Sequence, residues 1–358
     1  MPPDRASRVE IMGRLQAARE GRKIIAYVTS TRPNLEVMMR MDVIPLLYEH
    51  IRSLRLNKST SKIDLFLHTN GGDGVVPWRL MSLLREYASE VCLLVPHRAY
   101  SAGTLTALGA DRVVMHPMGT LGPIDPTVAN PFNPPNPQNA SQVLGISVED
   151  VAAYVALVKE DVGISHEDEL VQAFNILARK VHPLALGNVK RQTAQSRMLA
   201  EKLLKMGKGG LDTHSVGEIT EKLGSKIYFH GHPINRGEAR SDLGMTFVED
   251  AAPQVEELMW ELYSSYVQDM RLDDEWQPVQ EALPKLPALP RVQQQRSNST
   301  PTVTTVALEP VRAVRLESES RSDVRDIRYQ VTLAREWNGH ISSSILDVIS
   351  ERWVTEPD

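Results

Sequence analysis

The chain has 358 residues, 42% hydrophobic and 24% charged, with a net charge of -5. That length supports a substantial core and about two domains, or one large domain with extensions, and the charge gives no reason to expect nucleic acid or an anionic membrane as partner. A single cysteine, Cys92, excludes an internal disulfide and a multi-cysteine zinc site, and its apolar surroundings read as core packing.

In chain order, residues 5–22 carry Val9, Met12, Leu15 and Ala18 on one helical stripe that ends at Gly21. Residues 23–30 read as an apolar strand, and 41–54 as a helix with Ile44, Leu47, Ile51 and Leu54 at helical spacing. A second strand, 62–69, runs into Asn70-Gly71-Gly72 and a helix over 76–88. A third, 91–95, leads to Ser101 and a helix over 102–108, and a fourth spans 112–116. Strands alternating with helices predict an α/β domain with a mostly parallel sheet. In such sheets ligands gather beyond the carboxyl ends of the strands, where both the glycine turn and Ser101 fall.

The proline- and asparagine-dense stretch 130–142 reads as an exposed loop. Helices are predicted to residue 159 and over 166–180, 193–205, 216–223, 237–243 and 252–271, with a short strand over 226–230. The text after residue 274 is rich in proline, glutamine and serine and reads as a linker to 301. Residues 302–353 regain strand-like alternation, with a closing helix predicted from Ser343. The expected division is a helix over 1–22, a catalytic domain over 23–273, a linker over 274–301 and a small α+β module over 302–358. With a polar N-terminus and no apolar run of spanning length, no integral membrane segment is expected, and the cytoplasm is the expected location.

A strand that stops at Gly71-Gly72 and restarts as a helix leaves backbone N–H groups at a helix N-terminus, where a developing oxyanion is stabilised. Ser101 lies between a strand and a helix, with Ala102 and Gly103 as small neighbours that let a substrate approach. This is the placement of a nucleophile, although without the G-x-S-x-G pattern; the competing assignment is a serine that merely caps its helix.

His68-Thr69-Asn70-Gly71-Gly72, Tyr100-Ser101-Ala102-Gly103-Thr104, 109–115 and 121–126 in this order resemble the Clp protease/crotonase superfamily. Within it the chain resembles the serine dehydrogenase proteinase family, ClpP-like proteins related to signal peptide peptidase A. Residues 229–234, Glu238-Ala239 and 243–245 look like the closing strand and helix, so the resemblance covers about 23–271. It implies a ClpP/crotonase-like fold, Ser101 as nucleophile, the Gly71, Gly72 and Ala102 amides as the oxyanion hole, peptide or unfolded protein as substrate, and a homo-oligomer. The glycine turn departs from the family pattern, with Asn70 where relatives usually carry proline.

A ClpP-type base histidine is missing from 121–125. The signal peptide peptidase branch uses a lysine, which serves as base when desolvation lowers its pKa; Lys190, followed by Ser196-Arg197, fits that arrangement. Lys159, Lys180, His116 and His182 are the alternatives. His230 and His232 lack the carboxylate or cysteine companions of a metal site, and no cofactor fingerprint is present, so neither metal nor cofactor is expected. Two other functions compete with a serine peptidase: a crotonase-type acyl-CoA enzyme and an inactive ClpP-like scaffold.

Overall fold

The computed structural model describes residues 4–125, 127–128, 131–136, 139–207, 210–226, 231–287, 301–336 and 339–357. The first half builds helix α1 (Arg5–Ala18), strand β1 (Lys23–Thr29), α2 (Val43–Ser53), β2 (Lys62–His68), α3 (Val75–Tyr87), β3 (Glu90–Val95), α4 (Ala102–Leu108) and β4 (Arg112–Met115). Helices α5 (Val148–Ala156), α6 (Glu167–Lys180), α7 (Pro183–Leu204), α8 (Thr213–Glu221) and α9 (Arg236–Ser241) follow, then β5 (Val248–Asp250), α10 (Pro253–Met270) and α11 (Pro278–Ala282). The chain closes with four strands, β6 (Thr302–Ala307), β7 (Val311–Ser318), β8 (Arg321–Arg335) and β9 (Ile341–Thr355).

The sheet runs β5-β4-β3-β2-β1 with every neighbour parallel. These strands are buried along almost their whole length, which is why they read as unbroken apolar runs. Successive residues nonetheless point to opposite faces. Ile25, Tyr27, Leu65, Leu67 and Leu93 pack beneath α2, α3 and α4. Ile24, Ala26, Val28, Phe66 and Leu94 pack beneath α1 and α10. Cys92 is buried beside Arg22, and desolvation pushes its thiol up to about 12, so it stays protonated.

The tail is joined to this sheet. β7 pairs antiparallel with β1 over Ile25–Thr29, and β8 pairs with β7, β6 and β9. Buried charges fasten it: Glu317 on β7 accepts from Arg8 Nε of α1 at 2.7 Å and from the Tyr266 hydroxyl of α10 at 2.8 Å. Strands β6 to β9 therefore extend the main sheet across its β1 edge. The helix predicted from Ser343 is a strand, β9, paired with β8 across 13 register positions from Asp323 to Arg335. Ile345, Leu346, Val348 and Ile349 suit either period over so short a run, and pairing with β8 decides between them.

Two other boundaries shift. The helix predicted from 193 begins at Pro183, with the His182 ring accepting the Leu184 N–H as its cap. The 130–142 loop contains the short paired strands Pro135–Asn136 and Asn139–Val143. The predicted strand over 226–230 falls on 227–230, outside the described residues, as do His230 and most of the 274–301 linker beyond 287.

Candidate active site

The site lies beyond the carboxyl ends of β2 and β3. After β2, Thr69 pairs with Ala99 of the loop that follows β3, donating its N–H to Arg98 and accepting the Tyr100 N–H at 3.1 Å. The Thr69 hydroxyl accepts from Gly71 N–H at 3.0 Å and meets the Thr29 hydroxyl at 2.8 Å. One threonine thus fixes the glycine turn and the serine loop to each other.

Gly71 and Gly72 have φ of 111° and 149°. A Cβ on Gly71 would lie 2.8 Å from Ser101 Cβ and 2.9 Å from the Tyr100 carbonyl oxygen, and one on Gly72 would lie 2.4 Å from the Met39 amide nitrogen. Only glycine meets both the backbone angle and the space. Gly72 pairs with Met39, whose N–H donates to the Gly71 carbonyl while its own carbonyl accepts from Asp73 N–H. The Gly72 N–H therefore points away from Met39.

Ser101 precedes α4 with φ 51° and ψ -108°, and its hydroxyl makes no capping bond. The helix-cap assignment is excluded by that geometry. A non-glycine residue held there is strained by about 1–3 kcal/mol, and strained serines on strand-to-helix turns are those whose hydroxyls stand clear of the backbone. Gly103 supports the turn from below, where a Cβ would sit 2.8 Å from Thr69 Cγ2. The Thr104 hydroxyl lies 2.8 Å from the carbonyls of Ala99 and Gly122 and accepts the Gly122 N–H at 2.9 Å, tying the 121–125 segment to α4.

Of the three amides expected to hold an oxyanion, that of Gly71 is taken by Thr69. Those of Gly72 and Ala102 donate to no group among the described residues. Ser101, Asn70 and the glycine turn line a cleft of about 330 Å³. Its far wall is α7, which presents Gln192, Gln195, Ser196 and Leu199, one helical face at steps of three and four. Ser196 anchors that wall by donating its hydroxyl to the Ile124 carbonyl at 2.7 Å.

Lys190 is on α7 but not on this face. It lines a separate groove of about 930 Å³ between α5, α6 and α7, together with Lys159, Val155, Phe174 and Met198. The structure brings Gly71, Gly72, Ala102 and Ser101 together and leaves both lysines outside their cleft. His182 serves as the α7 cap. His116 is on the α10 side of the sheet, stacked on Trp260 at 4.9 Å with Nδ1 accepting the Met118 N–H. Burial lowers its pKa, as it does for His97 and, more strongly, for fully buried His68. Among the described residues no three metal-ligating side chains converge, and no helix is long and apolar enough to cross a membrane.

Sequence reasoning missed Thr69 as the staple, Glu36, Val37 and Met38 as one wall, and the glutamine face of α7 as another. Thr69 stands inside the motif and was discoverable there. The walls come from chain segments about 65 residues before and 90 residues after the serine, with no local signal.

The fold is a mostly parallel α/β sheet carrying a strained serine against a diglycine turn. Residues 6–154, a segment that includes Gly71, Gly72 and Ser101, match the family model of ClpP-like SDH-type serine proteinases. Two uncharacterized proteins of Methanocaldococcus jannaschii are similar to the chain. One is 29% identical over 136 residues, 35% of this chain and 46% of that protein; the other is 38% identical over 78 residues, 22% and 27% respectively. The chain thus spans about half or less of these relatives. Two solved structures of the 1510-N membrane-bound stomatin-specific protease are also similar. A serine-to-alanine mutant is 19% identical over 34% of this chain and 56% of that one, with a TM-score of 0.25. A lysine-to-alanine mutant in complex with a substrate peptide is 15% identical over 65% and 95%, with a TM-score of 0.24.

Proposed function

We propose that this protein is a serine peptidase in which Ser101 Oγ attacks a peptide carbonyl and the Gly72 and Ala102 amides hold the resulting oxyanion. The observation that carries this is the strained Ser101 turn beside two uncommitted N–H groups. Such preorganised donors stabilise a tetrahedral intermediate without further rearrangement. Oγ forms a bond to the carbonyl carbon and gives up its proton; collapse expels the amine, which takes a proton, and water then releases the acyl group. Gly71 acts as the close-packed neighbour that keeps the pocket open beside the serine.

For the base, the support for Lys190 is its place in the sequence ahead of Ser196-Arg197. Its side chain lines the neighbouring groove, so Lys190 acts as base only if α7 turns on its axis, and with α7 as it stands the proton goes to another acceptor. The substrate is a peptide or unfolded segment able to enter a cleft of this size, the working form is a homo-oligomer, as the family resemblance implies, and the location is the cytoplasm. A crotonase-type acyl-CoA reaction and an inactive scaffold are the rivals.

Fluorophosphonate labelling of the full-length protein separates them. Ser101 is expected to be the labelled residue, with labelling and peptide cleavage both lost in Ser101→Ala. Folded protein that neither labels nor cleaves a peptide library would defeat the peptidase assignment.

A further inference from the structure

We propose that the Ser101 cleft selects substrates carrying a cationic side chain close to the bond presented to the serine, and that Glu36 and Asp73 make the selection; this rests on the serine peptidase assignment above. Both carboxylates line the cleft, and among the described residues no lysine, arginine or histidine does. Both are exposed, and neither has an ion-pair partner among the described residues. Asp73 has one oxygen engaged, Oδ1 accepting the Val75 N–H at 3.0 Å. Of the cations near them in sequence, Arg32 pairs with Glu281 at 3.5 Å and Arg40 with Glu351 at 2.8 Å, while Lys190 and Arg197 on α7 line the neighbouring groove.

A third group points to the same ligand chemistry. Asn70 lines the cleft, and its Oδ1 is shielded from solvent with no hydrogen-bond partner among the described residues. A shielded acceptor without a donor is costly, and a substrate N–H or ammonium removes that cost. Val37, Leu105, Ile124 and Leu199 supply apolar walls that concentrate the field of the two carboxylates within the cleft. Met38, 60% exposed, offers a surface for the aliphatic stem of a lysine or arginine while the charged head reaches the carboxylates. A glutamate side chain in the same place meets two like charges and no donor with a positive charge.

Exposed charges a few ångströms apart each change binding by a few-fold in water, so the pair gives a preference of about tenfold at low salt. That preference shrinks as ionic strength shortens the Debye length to about 8 Å at 0.15 M.

The test uses the full-length protein and diphenyl phosphonate probes bearing a lysine-like, a norleucine or a glutamate side chain, with Ser101 labelling followed by mass spectrometry. The lysine-like probe is expected to label about tenfold faster than the norleucine probe and faster still than the glutamate probe. Salt and the double substitution Glu36→Gln with Asp73→Asn are expected to reduce these ratios towards one; asparagine keeps the Oδ1 cap on Val75, and a melting curve checks the fold. Equal labelling by the lysine-like and norleucine probes, or ratios unchanged in the double variant, would overturn the selection. If no probe labels Ser101, the peptidase assignment fails, and selection is decided on Ser101→Ala by fluorescence anisotropy with lysine- and glutamate-centred hexapeptides. Tighter lysine-peptide binding that is lost in the triple variant sustains it, and equal or absent binding overturns it.

Discussion

Gly71 and Ser101 touch so closely that a single added carbon on the glycine would lie 2.8 Å from the serine Cβ. The contact joins two loops that are 30 positions apart in sequence, and it makes a direct prediction. Gly71→Ala brings a clash together with a φ of 111° that L-residues avoid. It is expected to destabilise the fold by about 2 kcal/mol and to reduce fluorophosphonate labelling of Ser101 by more than about a hundredfold. Chemical denaturation and labelling kinetics on the same samples check both numbers.

The strain at Ser101 predicts a difference between two inactive variants. Ser101→Ala and Ser101→Gly both lose the hydroxyl, but only glycine accepts φ 51° and ψ -108° without cost. The glycine variant is expected to be the more stable by about 1 kcal/mol, read as a higher urea midpoint at the same slope.

Lys190 offers a test of the base. Because its side chain lines the α5–α6–α7 groove and the cleft wall is made by Gln192, Gln195 and Ser196, Lys190→Ala is expected to keep Ser101 labelling within about threefold of wild type, the range of an ordinary exposed charge. A loss of about a hundredfold, the size of a removed general base, would show that α7 turns Lys190 into the cleft during catalysis.

Asp64 is fully buried on β2 beneath two guanidinium groups, Arg19 at 2.7 Å and Arg22. Asp64→Ala leaves both cations without their shared anion, and breaking a buried pair in that way costs about 3 kcal/mol or more. A large fall in the denaturation midpoint is expected, while a fall no larger than that of an exposed pair such as Arg14–Glu261 would contradict it.

The histidines set the acid side of the stability profile. His68, His97 and His116 are held neutral in the fold, chiefly by burial, with pKa values below the 6.5 of a free imidazole. Their contribution is therefore complete above pH 6.5. It is lost as pH falls below 6.5 and through the depressed folded values, because the unfolded chain binds protons first. The melting temperature is expected to fall between pH 7.5 and 5.5. His116→Phe, which keeps an aromatic ring against Trp260, is expected to flatten that fall.

The alternation of strand and helix from Lys23 to Met115 was legible because each element carries its own signal: unbroken apolar strands, helical spacing, and glycines where the chain must turn. The pairing of Gly71-Gly72 with Ser101 was legible too, since both motifs end strands of the same parallel sheet, and parallel strands end on the same side. The tail was harder. Val311–Ser318 announces a strand but not its partner, and only the open edge of β1 and the buried Glu317–Arg8 contact place it inside the main sheet. The helix expected from Ser343 is a strand, because its apolar residues satisfy both periods until β8 supplies the hydrogen bonds.

For the Ala99 to Asp125 region and its glycine turn, the sequence alone determined which serine stands between strand and helix and which glycine turn lies beside it. Tertiary structure decided the rest of the chemistry: that Thr69 takes the Gly71 amide, that Gly72 and Ala102 remain as donors, and that Lys190 faces another groove. The physical reason is range. A turn's backbone angles follow from the residues within it, whereas the direction of a side chain on α7 depends on how a helix some 90 residues away settles its apolar face against α4 and Ile124.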